Sequence, residues 1–490
     1  MPRWLIILHR YTGVVMGLLM TLWCLSGVVM MYVGYPELSD AQRLKALSPI
    51  DWARCCDAAG AGREDADPVD GFRIESLGQT PVLRLSLGMG RVRTVDLTTG
   101  RAIEAIDPAQ AKTLAAGLGE RLGIGAPARV ETIDTDQWTV SGEYSRHRPL
   151  YRAAFADRGG TTLYLSSVTG ELVQETTRAQ RAWNWLGAVP HWLYPTLLRQ
   201  NAPLWSQVVI WTSVVGTFLT LTGLYLGLVQ LARKHRTGRW SPYKGLFFWH
   251  HVSGLVFGLL TLAWVFSGLM SMNPWGLLEG GGSPARAQVS GDPPTWSQVK
   301  ETLAALKTRP PAGAVSLSAA SMGGDLNLLS YSADAKMLRL NAQALPSRVT
   351  LRDLHDAAER VSEGLGMRTQ ALLTDEDDYY FAHHGSVTLP VYRIILADPD
   401  RTRVYIDTET GRVVRTVDAD GRGYRWWHLA LHRWDFAAPL RARPVWDLVM
   451  LLLLAGVTLS VGLGTWMGLR RLVQDLRPRR AASQPADDRG

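Results

Sequence analysis

Cysteine is scarce in this chain: only Cys24, Cys55 and Cys56 occur among 490 residues. That scarcity excludes a disulfide-rich scaffold and a cysteine-rich zinc site. No Cys-x-x-Cys-His sequence is present, so haem is not attached covalently through that motif. The chain also lacks a Gly-x-x-x-x-Gly-Lys-Ser/Thr loop, which excludes a phosphate-binding loop of that kind.

Charged residues are absent from four long segments of the sequence. These segments run from Tyr11 to Pro36, from Leu204 to Ala232, from Gly245 to Leu278 and from Leu448 to Leu469. Each is as long as the roughly 20 apolar residues that a helix needs to cross a bilayer. The first is longer than the about 7–15 residues of a signal-peptide core, so we interpret it as a retained helix. The sequence therefore predicts an integral membrane protein with four transmembrane helices.

Basic residues beside these segments indicate how the chain is oriented. The connection between the second and third helices has no acidic residue and five basic ones: Arg233, Lys234, Arg236, Arg239 and Lys244. Because basic residues in short loops stay in the cytoplasm, we place this loop and both termini there. The net charge of +8 is then a signal of topology, and we expect no nucleic-acid partner. In a bacterium the chain would be a multi-pass protein of the inner membrane, with its long connecting segments in the periplasm.

The predicted parts follow one another without gaps. They are a first helix in 1–34, a periplasmic segment in 35–203, a second helix in 204–232, a basic loop in 233–245, a third helix in 246–272, a second periplasmic segment in 273–443, a fourth helix in 444–469 and a cytoplasmic tail in 470–490.

A tandem duplication is predicted to relate the two halves of the chain. With an offset of 241 positions, the two halves match at histidine, serine, glycine and aromatic positions throughout. The matches include His9/His250, Gly13/Gly254, Gly17/Gly258, Trp23/Trp264, Ser26/Ser267, Tyr164/Tyr405, His191/His432, Gly223/Gly464 and Gly227/Gly468. Both halves begin on the same side of the membrane, so matched residues should face each other across an axis along the membrane normal.

The two periplasmic segments are predicted to be small α+β domains. In the second half, residues 350–364 have the apolar spacing of a helix, and turn residues separate the short apolar runs that follow. We expect strands at Tyr379–Ala382, Val391–Ala397, Val404–Ile406 and Val413–Val417. The first half shows the same order, with Asp107-Pro108 opening a helix.

Two pairs of histidines lie at the ends of the predicted helices. His9 and His250 begin the first and third helices on the cytoplasmic side, and His191 and His432 precede the second and fourth on the outer side. A single histidine there is usually an interfacial side chain, but two pairs related by the repeat indicate ligands. Two imidazoles approaching from opposite sides are the axial ligands of a b-type haem. Zinc is disfavoured, because no Cys, Asp or Glu lies nearby to complete four ligands.

Neighbouring histidines leave the ligand assignment open at both sites. His251 directly follows His250, and His428 lies one helical turn before His432. The repeat favours His250 and His432 over these alternatives.

Glycines follow each cytoplasmic histidine at helical spacing. Gly13 and Gly17 share a helix face with His9, and Gly254 and Gly258 share one with His250. Small residues on these faces leave room for the edge of a flat macrocycle. The alternative is that they only allow neighbouring helices to pack closely.

These features together resemble the PepSY-associated transmembrane family. The resemblance rests on the His9-Arg-Tyr-Thr-Gly13 start and its echo at His250, the repeated Ser-Gly pairs, the Asp407-x-x-x-Gly411 hairpin and the Trp–His segments before the second and fourth helices. It implies periplasmic PepSY-like domains, two haem b groups, and electron transfer across the membrane to ferric iron held by a siderophore. It also implies an external electron donor, cytoplasmic or in the membrane.

From the sequence we expect a dihaem ferric-siderophore reductase that works by outer-sphere electron transfer and needs no acid–base catalytic residue. Two other classes stay open at this point. One is a non-enzymatic PepSY membrane protein that binds or regulates a periplasmic protein. The other is a siderophore or iron transporter, which the absence of charge and of broken helices in the spans disfavours.

Overall fold

The computed structural model describes residues 3–88, 91–232, 241–278, 282–383 and 385–476. Four of its helices are long and apolar enough to cross a membrane, which is compatible with a multi-pass membrane protein. They are α1 (Arg3–Met30), α7 (Ala202–Ala232), α8 (Leu246–Ser271) and α15 (Val445–Leu476). Most of the basic loop at 233–245, and the tail from residue 477, lie outside the described residues. The last helix continues past the predicted end at Leu469 and includes Arg470 and Arg471.

The four long helices form a bundle in which each packs against two neighbours. α1 contacts α15 and α7, and α8 contacts the same two helices, so α1 and α8 lie diagonally opposite each other. Hydroxyl groups inside the helices are satisfied by the carbonyl one turn earlier. Thr220 donates to Gly216, Thr261 to Phe257 and Thr465 to Val461 at 2.9 Å. These bonds let polar side chains remain in an apolar helix at little cost.

Between the long helices the described part of the chain forms three antiparallel sheets. The strands are β1 (Phe72–Leu77), β2 (Thr80–Ser86), β3 (Val92–Asp96), β4 (Ala102–Ile103), β5 (Pro127–Ile133), β6 (Leu150–Phe155), β7 (Thr162–Ser166), β8 (Leu172–Thr176), β9 (Ala314–Ala319), β10 (Asn327–Ser332), β11 (Met337–Asn341), β12 (Met367–Leu373), β13 (Val391–Leu396), β14 (Arg403–Asp407) and β15 (Val413–Val417). The sheet orders are β11-β10-β9-β1-β2-β3-β4, β5-β6-β7-β8 and β12-β13-β14-β15.

Shorter helices pack on the sheets or lead into the long helices. They are α2 (Asp40–Ala46), α3 (Pro108–Leu122), α4 (Arg178–Leu186), α5 (Ala188–His191), α6 (Thr196–Arg199), α9 (Ala285–Ser290), α10 (Trp296–Thr308), α11 (Leu351–Ser362), α12 (Ala419–Tyr424), α13 (Leu431–Arg433) and α14 (Ala438–Arg441). A π-helical turn at Arg425–Ala430 joins α12 to α13.

The seven-stranded sheet takes strands from both halves of the chain. β1 and β9 pair antiparallel, with Ile74 opposite Leu317 and Glu75 opposite Ser316. One apolar core covers this sheet and includes residues from both halves, such as Phe72 and Trp296. Cys55 and Cys56 are joined by a disulfide and lie at the same core. The two outer segments are therefore fused through a shared sheet, which the sequence does not predict.

The two four-stranded sheets have the same strand order, and a helix packs on each. α3 begins with Asp107 as its N-cap and buries Ala111 and Ala115 against the first sheet. α11 begins with Thr350 and buries Ala357 and Ala358 against the second. In both cases the capping side chain accepts a hydrogen bond from the third residue of the helix, which fixes where the helix starts.

One predicted strand, Tyr379–Ala382, is wrong. The Asp377 carboxylate accepts hydrogen bonds from the backbone N–H groups of Tyr379 and Tyr380 at 2.8 Å, which bends the chain away from the sheet. The fourth strand of this sheet is instead β12, directly after α11. Local side-chain bonds of this kind compete with strand pairing.

A buried group of ion pairs joins the seven-stranded sheet to the first four-stranded sheet. Arg84 lies 3.2 Å from Glu75 and 3.7 Å from Glu171, and Arg73 also pairs with both carboxylates. Burial opposes ionisation of Glu171, but Arg84 and Arg73 lower its pKa to about 2. These ion pairs hold the two sheets in a fixed relative position.

Candidate functional site

A large cavity lies at the end of the bundle where α1 and α8 begin. Its volume is about 550 Å³, within the roughly 300–1,000 Å³ typical of cofactor sites. His9 and His250 both line it, as do all four predicted glycines, Gly13, Gly17, Gly254 and Gly258. The predicted cytoplasmic-site residues are thus brought together in one place.

The wall of this cavity is almost entirely built from residues matched by the offset of 241. All lining residues except Tyr243 and Leu255 have a partner in the lining at that offset. The pairs include Ile6/Phe247, Met20/Thr261, Leu219/Ser460, Leu224/Thr465, Leu226/Met467 and Gly227/Gly468. The cavity therefore presents two similar faces, one from each half of the chain.

His9 and His250 each have one ring nitrogen held by a neighbouring helix. His250 Nδ1 lies 3.0 Å from the carbonyl of Ser460, and His9 Nδ1 lies 3.3 Å from Thr222 Oγ1. A carbonyl only accepts, so His250 Nδ1 carries the proton and its Nε2 keeps a lone pair. Within the described ranges no protein group bonds Nε2 of either ring. This is the form of histidine that binds a metal, with Nδ1 oriented by the protein.

Glycines opposite the two rings make this placement possible. A Cβ at Gly223 would lie 2.7 Å from His9 Cε1, and a Cβ at Gly464 would lie 2.7 Å from His250 Cε1. Any larger residue would push the ring out of position. The sequence shows Gly223 and Gly464 as a repeat-matched pair, and in the structure each is in direct contact with an imidazole.

The glycines that follow His9 on α1 and His250 on α8 are of two kinds. A Cβ at Gly17 would collide with Thr465, and one at Gly258 would lie 2.5 Å from Leu224, so both are needed for close helix packing. At Gly13 and Gly254 the nearest atoms are 3.8 and 3.7 Å away. Those two positions leave space beside the cavity. Both interpretations of the glycines therefore apply, at different positions.

His251 is less available than His250. Its Nδ1 lies 3.0 Å from Ser241 Oγ, and its Nε2 lies 3.0 Å from the carbonyl of Gly227. Both nitrogens are engaged by the protein, so a metal would have to displace one of these bonds. The geometry favours His250 as the ligand.

At the opposite end of the bundle His191 and His432 meet. His191 Nδ1 lies 3.1 Å from both Ser26 Oγ and the carbonyl of Trp23, and His432 Nδ1 lies 3.0 Å from Ser267 Oγ. Ser26 and Ser267 are buried and matched by the offset. The sequence showed these serines as a repeated pair without a role. Ser26 holds His191 against α1, and Ser267 holds His432 against α8. Both helices begin at the cavity end of the bundle.

The spacing of the outer rings suits two ligands on one iron. Their centres are 6.1 Å apart, with the ring planes at 76°. Two imidazoles bound to one metal at about 2 Å each place their ring centres roughly 6 Å apart. Burial lowers the pKa of His191 to about 4 and that of His432 well below its ordinary value. Both rings are therefore neutral at pH 7, as ligands must be.

His428 lies beside this pair. Its ring centre is 5.3 Å from that of His432 at an interplanar angle of 35°, and its Nδ1 lies 2.8 Å from the carbonyl of Ser267. It sits in the π-helical turn, a feature often found at functional sites. Because His428 and His432 come from successive turns of one segment, His191 is the only one of the three that reaches the site from the other half.

The donor set matches haem better than a bare metal ion. In the part of the chain that the structure describes, no three His, Cys, Asp or Glu side chains form a group that could hold a metal ion. Haem supplies four ligands itself and takes only two from the protein, which is the number of histidines in each pair. The cavity lined by His9 and His250 adds apolar walls and suitable volume. The residues present fit this cofactor.

The fold and these sites define a chain with four potential membrane-spanning helices, β-sheet domains between them and a histidine pair at each end of the bundle. No known family model matches the sequence, and a comparison with curated proteins finds no match.

Proposed function

We propose that this chain is a b-type dihaem reductase of the bacterial inner membrane. It would take electrons from a cytoplasmic or membrane donor and pass them to ferric iron outside, releasing ferrous iron. The resemblance to the PepSY-associated transmembrane family favours a ferric siderophore as the substrate. The proposed topology has both termini in the cytoplasm and the sheets in the periplasm.

The single observation that carries the proposal is the pairing of histidines from opposite halves at both ends of one helix bundle. His9 and His250 line one cavity, and His191 and His432 lie 6.1 Å apart at the other end. Two bis-histidine sites would use four of the six candidate rings. A tandem repeat whose halves are related by an axis along the membrane normal would bring matched histidines of the two halves together at each end of the bundle.

The distance between the two histidine pairs along the bundle suits transfer across a membrane. α1 carries His9 near its start and Ser26, which contacts His191, near its end. At 1.5 Å per residue this stretch of helix is about 25 Å long, close to the roughly 30 Å apolar thickness of a bilayer. α8 connects His250 and Ser267 in the same way. One rigid helix from each half therefore fixes the separation of the sites.

Haem b bound at these pairs would supply one-electron transfer. The protein's part is to hold the rings. Ser460 and Thr222 fix the cytoplasmic histidines, and Ser26 and Ser267 fix the outer ones. Ligands held in a fixed orientation would tune the potential of the bound group. No side chain has to donate or accept a proton for outer-sphere reduction.

Electron delivery from purified protein tests this function. Protein reduced without air is mixed with ferric chelates of several classes, and its reoxidation and the appearance of trapped ferrous iron are followed together. We expect both to proceed at the same rate for at least one chelate. His251→Ala, a change next to the proposed ligand, should retain the reaction, whereas His250→Ala should lose it. Protein that binds haem but is not reoxidised by any ferric chelate would refute the reductase function.

A further inference from the structure

The cytoplasmic cavity is symmetric in its walls but not in its charge. Arg10 on α1 and Arg471 on α15 both line it. At the offset of 241, Arg10 corresponds to His251 and Arg471 corresponds to Gln230, which line the cavity from α8 and α7. Since α1 packs against α15 and α7 against α8, both arginines lie on one edge and their uncharged counterparts on the other.

Among the residues that the structure describes, none in the cavity wall neutralises this edge. None of the described residues lining the cavity is Asp or Glu. Arg10 forms no ion pair within the described ranges. Arg471 lies 3.1 Å from Asp475, one turn further along the same helix, and Asp475 also accepts a hydrogen bond from Tyr11 at 2.9 Å. The Arg471–Asp475 ion pair is exposed to solvent, and exposed ion pairs of this spacing are weak. Arg471 can therefore also bind the carboxylate of a ligand.

We propose that Arg10 and Arg471 bind the two carboxylates of a flat, otherwise apolar dicarboxylate, and so select one orientation of that ligand in a nearly twofold cavity. The inference rests on the proposed function, in which the ligand is haem b with its two propionates. Arginine binds carboxylates through paired N–H donors, which gives both energy and direction. The two halves of the cavity wall are related by an approximate twofold axis that passes between His9 and His250. Without the two arginines, the matched walls would accept the ligand equally well after a half-turn about that axis.

Reconstitution of the full chain, produced without haem, tests this assignment. The protein is titrated with haem b and with its dimethyl ester, which keeps the ring and iron but has no carboxylate charge. The binding phase of the cytoplasmic site is identified as the one lost in His250→Ala. We expect this phase to favour haem b over the ester by about tenfold or more, the size of a charge-assisted hydrogen bond lost from a partly buried site.

The arginine variants then locate the source of that preference. In the double variant Arg10→Gln with Arg471→Gln the preference should disappear, while Arg10→Lys, which keeps the charge, should retain most of it. Arg3→Gln, at the start of the same helix but outside the cavity lining, is the matched control and should bind like the wild type. Retention of the outer-site phase shows that a variant is folded.

The outcomes separate this inference from the proposed function. Equal binding of haem b and the ester by the wild type, or a preference that survives in the double glutamine variant, would overturn the role of the arginines and leave the dihaem proposal intact. A wild-type chain that binds neither compound would overturn both.

Discussion

If His9 and His250 hold a haem as proposed, replacement of Gly464 by alanine should remove that haem and leave the one proposed at His191 and His432. The new Cβ would lie 2.7 Å from His250 Cε1 and 3.2 Å from its Nδ1. Carbon atoms in contact are normally about 3.5–4.0 Å apart, so the ring must retreat by roughly 0.8 Å. Metal–ligand distances tolerate only about 0.2 Å, so a ring displaced this far no longer binds as before. Haem content of the purified variant, measured against protein, should fall from two per chain to one.

Gly462→Ala is the matched control for this prediction. It lies on the same helix two residues earlier, and a Cβ there meets nothing within 4 Å. In the interior of a helix, alanine is more stable than glycine by about 1 kcal/mol. This variant should therefore keep both haems and be at least as stable as the wild type. Gly223→Ala, opposite His9, should behave like Gly464→Ala. If Gly464→Ala kept two haems with unchanged spectra, the assignment of His250 as a ligand would be wrong.

Three further predictions follow from the contacts of the histidines and the buried ion pairs. His250→Ala should lose one haem while His251→Ala should keep both, because both nitrogens of His251 already bond protein groups; haem counts on the two variants decide this. Ser26→Ala and Ser267→Ala should each weaken haem binding at the outer site by about 10–100-fold, as loss of a ligand's hydrogen-bond partner does; titration of the haem-free variants measures it, and unchanged affinity would contradict the role of the serines. Arg84 and Arg73 lower the pKa of Glu171 to about 2, so the stability contributed by its ionised form is present at neutral pH and is lost as the pH falls towards 2. Glu171→Gln should lower the melting temperature at pH 7 and flatten its dependence on pH over that window, and a variant with the wild-type profile would show that the pair adds no stability.

The sequence predicts the parts of this molecule that depend on local pattern. The four long helices follow from the length of the charge-free segments, and their bounds differ from the prediction mainly where α15 continues past Leu469. The cavity residues His9, His250, Gly13 and Gly254 follow from helical spacing and the internal match, because both place side chains on one face without knowledge of the fold.

Long-range pairing and side-chain direction could not be predicted in this way. The β1–β9 pairing joins strands from opposite halves, and no local signal marks which edge strands will meet. The choice between His250 and His251 depends on the partners of each nitrogen, which adjacent residues in a sequence do not reveal. The repeated Ser26 and Ser267 were visible as a match, but their bonds to His191 and His432 required the packing of α5 and α13 against the long helices.

The central claim is that each histidine pair holds one haem. Its most direct test is the optical spectrum and haem content of the protein purified from cells with ample haem, before and after reduction. The proposal predicts red protein with two low-spin b-type haems per chain, and loss of one of them in each of His250→Ala and His432→Ala. Colourless protein, or haem that stays at two per chain in both variants, would contradict it.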